Sequence, residues 1–288
     1  MIQDKDTNIV YFSSKLNEWK KFKDFYQELT SLLDELEILY ERIYDTKDIW
    51  VRDFMPIQID ENAFLKYKYE PDYLIQIEKN RPYITDCTTA CCKKGIKCCR
   101  NTDIIIDGGN VVLCGDKIVM TEKVFTENKI EVGDVDFLHR LEEVFEHKIV
   151  IIPWHATGKL GDEEADVYGH SDGFIKYCRG NRILMSNHRE TDKDEAIAIR
   201  NKLEENGYEV TEMLFDVENP QPEWNWAYIN FLQIGNNIIL PKFGIAEDEQ
   251  AKKYVQDAFP DCRIRQIDCR LLAKDGGALH CISWNIKK

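Results

Sequence analysis

No apolar run in the sequence approaches the ~18–20 residues that a membrane-crossing helix needs, which excludes a helical transmembrane protein. The first ten residues, Met1 to Val10, lack the basic start and apolar core of a secretory signal. The expected setting is cytoplasmic, with the ten cysteines kept as reduced thiols. Glycine (15) and proline (8) are too few, and apolar residues (43%) too many, for a fibrous or disordered chain. Positive charge is also scarce: 38 Lys and Arg face 52 Asp and Glu, a net charge of −14. Such a chain repels phosphate backbones, so neither nucleic acid nor a membrane is an expected partner. Its field suits a small cationic substrate, although the same charge also serves solubility.

What is present is a recurrence. Gly115-Asp116-Lys117-Ile118-Val119-Met120 resembles Gly180-Asn181-Arg182-Ile183-Leu184-Met185, and both resemble Gly235-Asn236-Asn237-Ile238-Ile239-Leu240. Each follows a strand-like run, which is hairpin chemistry: Gly, Asn and Asp accept positive φ between β-branched flanks. Asp60-Glu61-Asn62 is a fourth candidate turn. Positions 60, 115, 180 and 235 are separated by 55, 65 and 55 residues, so a chain of 288 holds about five units.

The intervals also match in content. Helical periodicity runs over Asp134 to His147, Asp192 to Asn206 and Glu247 to Phe259. Strand-like segments follow at Lys148 to Ile152, Tyr208 to Leu214 and Arg263 to Ile267. At the N-terminus, Asn8 to Phe12 reads as a strand and Leu16 to Tyr40 as helical. Each unit is thus strand, helix, strand, strand. The fifth hairpin has no covalent turn; the last strand, Leu279 to Trp284, is expected to pair with the first. The expected fold class is an α/β, five-bladed pseudo-fivefold propeller, one domain over residues 1–288. Residues 70–102 interrupt the pattern as a cysteine-rich insertion with no clear helix.

Reactive residue types recur near the corresponding strand of each unit: Asp53, Asp107, Asp172 with His170, Asn230 and Cys281. Their spacings are 54, 65, 58 and 51 residues. In a cyclic array, equivalent positions build one polar pocket. On a strand, His170 and Asp172 face the same side. Cys281 follows Gly276 and Gly277, which permit close backbone approach. A cysteine with a histidine is a candidate nucleophile with its acid–base partner. Carboxylates beside them suit a guanidinium, which meets carboxylates bidentately.

Trp50-Val51-Arg52-Asp53, Asp107-Gly108-Gly109-Asn110, His170-Ser171-Asp172-Gly173, Tyr228-Ile229-Asn230-Phe231 and Gly276-Gly277-Ala278-Leu279-His280-Cys281 stand in one order. In that order the sequence resembles the agmatine deiminase and bacterial peptidylarginine deiminase family. That family belongs to the guanidino-group-modifying penteins, whose fold is a five-bladed α/β propeller. The resemblance implies that Cys281 attacks the guanidinium carbon and that His170 acts as acid, then base. It implies that Asp53 and Asp172 grip the guanidinium, that Asp107 orients the histidine where relatives carry Glu, and that Asn230 lines the site. Trp50 is a further candidate substrate contact, through its ring face.

Each residue has a plain structural reading as well. Cys281 suits an inert buried thiol, and Asp53 an ion pair with Arg52 or Arg42. Asp107 suits a turn, Asn230 the backbone groups of a strand end, and Trp50 core packing. His155, His188 and His280 have no partner identifiable from sequence.

The expected activity is hydrolysis of agmatine to N-carbamoylputrescine and ammonia through a covalent thiouronium, a step in polyamine metabolism that requires no metal or organic cofactor. The alternatives are a peptidylarginine deiminase acting on the arginine side chain of a peptide, an amidinotransferase, and a non-catalytic thiol sensor. Homo-oligomerisation is compatible with all four. The cluster Cys87, Cys91, Cys92, Cys98 and Cys99 reads as a surface loop, a redox site or a four-thiolate zinc site.

Overall fold

Five three-stranded sheets of one topology are present in a computed structural model that describes residues 1–156 and 168–288. The strands in chain order are β1 (Ile9–Ser13), β2 (Leu39–Ile43), β3 (Ile57–Asp60), β4 (Ala63–Lys68) and β5 (Cys98–Ile105). Next come β6 (Val112–Cys114), β7 (Lys117–Thr121), β8 (Lys148–Ile152), β9 (Ile175–Arg179) and β10 (Arg182–Met185). The last are β11 (Glu209–Glu212), β12 (Leu232–Ile234), β13 (Asn237–Lys242), β14 (Arg263–Asp268) and β15 (Ser283–Ile286).

In each sheet the central strand pairs antiparallel on one side and parallel on the other. The orders are β15-β1-β2, β3-β4-β5, β6-β7-β8, β9-β10-β11 and β12-β13-β14. A parallel neighbour requires a long crossover. Helices Lys23–Glu35, Cys87–Lys93, Val135–Phe145, Lys193–Glu205 and Asp248–Ala258 lie in those connections.

The local chemistry explains the elements. Gly115, Gly180 and Gly235 adopt φ of +71°, +61° and +54° at three of the hairpin turns, where a side chain would be strained. Asp134 and Asp192 cap their helices through the backbone N–H groups of Phe137 (2.8 Å) and Glu195 (2.9 Å). Phe137, Leu141 and Phe145 bury one stripe of a helix at four-residue spacing.

The chain divides into two compact units. The first comprises Met1–Gly108, Asn230–Lys242 and Asp261–Lys288, and holds the sheets centred on β1, β4 and β13. Tyr11, Ile43, Val51, Phe54, Phe64 and Trp284 pack within it. The expected pairing of the terminal strands is found here, with Ile9 opposite Ile286 and Phe12 opposite Ser283. The second comprises Gly109–Ile229 and Phe243–Pro260, and holds the sheets centred on β7 and β10. Val119, Val150, Ile183, Met185, Ile199 and Leu203 lie in its core.

Three expectations change. Residues 16–40 are not one helix: Lys15–Glu18 and Lys23–Glu35 are helical, and Leu39–Ile43 is a strand, because Glu37 turns the chain at φ +57°. The cysteine-rich segment does contain a helix, Cys87–Lys93, capped by Asp86 on the Thr88 N–H at 3.0 Å. It lies between β4 and β5, which pair in parallel, where a crossover helix belongs. The third change concerns the site residues.

Candidate active site

None of the expected site residues lies within a strand. Asp53 is in the helical turn Val51–Phe54, Asp172 in the turn Ser171–Gly173 with His170 as its N-cap, and Asn230 directly after the turn Trp226–Ile229. Asp107 precedes the turn Gly108–Asn110, and Cys281 precedes β15. The strand geometry expected for His170 and Asp172 is therefore corrected. Ser, Asp and Gly close a 3₁₀ turn here, with Gly173 N–H donating to His170 O (3.0 Å) and Phe174 N–H to Ser171 O (3.1 Å). The recurrence survives the correction, since each site residue sits just ahead of a strand.

In the first unit, the nucleophile candidate is held by its backbone. Asn230 Oδ1 accepts the N–H of His280 (3.1 Å) and of Cys281 (3.2 Å). Arg52 N–H donates to Cys281 O at 3.1 Å. The Arg52 guanidinium donates to His280 O (3.4 Å) and to Asn285 Oδ1. The segment that carries Asp53 is thus bonded to the segment that carries Cys281. Arg52 was not anticipated as an anchor; its place beside Asp53 in a tight turn was the available signal.

Glycine makes these approaches possible. A Cβ on Gly277 would lie 2.5 Å from the Trp50 ring, and one on Gly108 would lie 2.1 Å from Arg52 O. Trp50 therefore packs against Gly277, four residues ahead of Cys281. Asp53 (4% exposed), Asp107 (1%) and Cys281 (8%) are buried. The Tyr67 hydroxyl donates to Asp53 O (2.5 Å) and Met55 O (2.9 Å). Burial, then the Asp53 carboxylate, push that hydroxyl well above its ordinary range, with Asp107 adding to the shift. Tyr69 is raised in the same way by burial, Asp53 and Asp107. Both carboxylates therefore act on the same two tyrosines, Tyr67 buried and Tyr69 half-buried.

In the second unit, His170 (8%), Ser171 (0%) and Asp172 (2%) are buried together. Asn110 Oδ1 accepts Ser171 N–H (3.2 Å) and Thr121 N–H (2.9 Å), and Ser171 Oγ donates to Val119 O (3.2 Å). Asn110 thus repeats for this turn what Asn230 does for Cys281.

His155 and His188 meet Glu195, and His280 meets Asp4 at 3.5 Å. None of the ten cysteines forms a disulfide. In the cysteine cluster, Cys87 and Cys91 are buried and Cys92 and Cys99 exposed. Hydrogen bonding to Cys87 and Cys98, then burial, raises Cys91, and the bond from Cys91 lowers Cys98. Among the described residues, no group of three or more His, Cys, Asp and Glu side chains is arranged to hold a metal ion. No described helix is long and apolar enough to cross a membrane.

The sequence model of the Porphyromonas-type peptidyl-arginine deiminase family matches residues 10–286, and the chain belongs to that family. A 60-residue stretch is 40% identical to a relative in Marinomonas sp. (strain MWYL1), covering 21% of this chain but only 16% of that protein. The agmatine deiminase of Pseudomonas aeruginosa (strain UCBPP-PA14) is 23% identical over 315 aligned positions, covering 90% of this chain and 79% of the relative. A C. jejuni agmatine deiminase solved with substrate bound superposes with a TM-score of 0.73 at 18% identity, covering 100% of this chain and 96% of that one. That likeness shows the fold, the five-bladed α/β propeller expected from the repeats.

Proposed function

We propose that the protein is a guanidine deiminase that hydrolyses agmatine to N-carbamoylputrescine and ammonia. The observation that carries this reading is the double backbone clamp on Cys281, from Asn230 Oδ1 and Arg52 N–H, in a chain of the deiminase family.

In this reading the Cys281 thiolate attacks the guanidinium carbon and forms a C–S bond. His170 protonates one nitrogen, the C–N bond breaks, and ammonia leaves a thiouronium on Cys281. His170 then takes a proton from water as the water oxygen attacks the same carbon. The C–S bond breaks, which returns the thiolate and releases the ureido product. Asp53 and Asp172 bind the guanidinium nitrogens, and Asp107 orients His170. Asn230 lines the site and also holds the Cys281 backbone, and Trp50 packs on Gly277 and remains a candidate substrate contact through its ring face. A net charge of −14 favours a dicationic amine over a peptide whose carboxylates offset its guanidinium, which supports agmatine.

The family's description favours a second reading, deimination of arginine within a peptide. A substrate panel of agmatine, free arginine, N-acyl arginine and arginine peptides decides between them by ureido-product yield. Turnover of agmatine without peptide turnover is expected. Peptide turnover alone moves the assignment to the second reading. Release of ornithine-type amines only with an added acceptor amine means amidino transfer.

A further inference from the structure

Glu195 is a buried carboxylate (5% exposed) in the first turn of the helix Lys193–Glu205. It gathers donors from two separate chain segments. Oε1 accepts the backbone N–H of His155 at 2.8 Å and lies 2.8 Å from His155 Nδ1. Oε2 lies 2.6 Å from His188 Nε2. The outer nitrogen of His155 meets Asp192 Oδ2 at 3.2 Å.

Each histidine leads to one flank of the His170 turn. His155 follows Trp154, whose ring covers Gly169 so closely that a Cβ there would lie 2.5 Å away. Gly169 precedes His170, and its carbonyl accepts from Thr121 Oγ1 at 2.5 Å. On the other flank, the His188 ring packs edge-on against Phe174, with centroids 4.9 Å apart at 83°. Phe174 N–H closes the turn on Ser171 O, and Phe174 O accepts from Ser186 N–H at 2.8 Å.

We infer that Glu195 is a positioning residue for His170 and Asp172: one carboxylate fixes both ends of the turn through Trp154–Gly169 and His188–Phe174. The inference rests on the reading of that turn as catalytic. Helix capping does not account for the arrangement, because Asp192 already caps this helix and Glu195 spends its carboxylate on groups outside it. A neutral amide accepts through one oxygen only, so Glu195→Gln replaces one of the two acceptors by an N–H donor and reaches that imidazole only in the opposite tautomer.

The test compares Glu195→Gln with Leu203→Ala, a core truncation on the same helix that touches neither histidine segment through this network. Kinetics with agmatine are read well below both melting temperatures. Glu195→Gln is expected to lower kcat about 10–100-fold with KM within about threefold, and Leu203→Ala to leave kcat within about twofold. Equal kcat losses in the two variants, or none in Glu195→Gln, overturn the inference. The His170 imidazole NMR signals of the substrate-free proteins are read alongside. They are expected to move in Glu195→Gln and stay in Leu203→Ala; an unmoved signal in both also overturns it. If the wild type turns over no guanidino compound, the functional reading fails, and the NMR comparison still decides whether Glu195 positions the turn.

Discussion

Asn230 holds Cys281 by its main chain: a single side-chain oxygen, Asn230 Oδ1, accepts the N–H groups of Cys281 (3.2 Å) and of its neighbour His280 (3.1 Å). Both residues lie in the first unit, and Asn230 is 1% exposed. The His280 N–H is shared with the Asn230 main-chain carbonyl at 3.1 Å, so both acceptors of this one residue set where the thiol starts.

Asn230→Ala removes this acceptor from the Cys281 N–H, while the His280 N–H keeps the residue-230 carbonyl. The expected loss of stability is about 0.5–1.5 kcal/mol, the worth of the lost side-chain acceptor. Activity is expected to fall about 100-fold through displacement of Cys281, with KM little changed. Denaturant melts and steady-state kinetics measure the two. Wild-type kcat in a folded Asn230→Ala protein would contradict the positioning role.

Gly108→Ala and Gly277→Ala test the close approaches. At Gly108 the added methyl meets a backbone carbonyl, Arg52 O, which has little room to retreat. At Gly277 it meets the Trp50 ring. Both variants are expected to be destabilised by about 1–3 kcal/mol or more, as overpacking usually is. Trp50 emission is expected to shift in Gly277→Ala, and an unshifted spectrum with an unchanged melting temperature would refute the packing.

Asp48 supplies a pH signature. Burial raises its carboxyl from 3.8 to about 6, against the pull of the Ile49 N–H. The folded state therefore keeps this proton to higher pH than the unfolded chain does. Its contribution to stability is full below about pH 4 and is lost as the pH rises through about 6. Asp48→Asn cannot ionise, so it should gain about 1–2 kcal/mol over wild type at pH 7.5, discounted for partial exposure, and almost nothing at pH 4. Equal differences at both pH values would show that the proton is not involved.

Tyr67→Phe removes the hydroxyl that donates to Asp53 O and Met55 O. The turn carrying Asp53 should loosen, at a stability loss of about 0.5–1.5 kcal/mol. Substrate binding is expected to suffer with it, read as a raised KM for agmatine, because Asp53 is assigned to the guanidinium. A raised kcat with unchanged KM would be the opposite result.

Much of the fold was legible because hairpin chemistry and helix periodicity are local. Gly115, Gly180 and Gly235 mark turns that the structure contains, and the segment Lys148–Ile152 is a strand with the boundaries read from its apolar run. The site residues were legible as a recurring set but not as geometry. His170 and Asp172 look like a strand pair at spacing of two, yet Ser171, Asp172 and Gly173 favour a tight turn over a strand. Arg52 and Glu195 stayed hidden because their roles are hydrogen bonds to residues 228 and 40 positions away, and no local pattern encodes those. The motif Asp192-Lys193-Asp194-Glu195 has the spacing of a capping box, and that spacing masks what the Glu195 carboxylate binds.

The central claim is that Cys281 forms a covalent bond to the guanidinium carbon. Intact and peptide mass spectrometry of acid-quenched protein turning over agmatine tests it most directly, with Cys281→Ala as the comparison. The predicted result is an amidino adduct on the peptide containing Cys281 in wild type, with no adduct and no ammonia release in Cys281→Ala. Ammonia release that survives in Cys281→Ala, or an adduct on a different cysteine, would contradict the account.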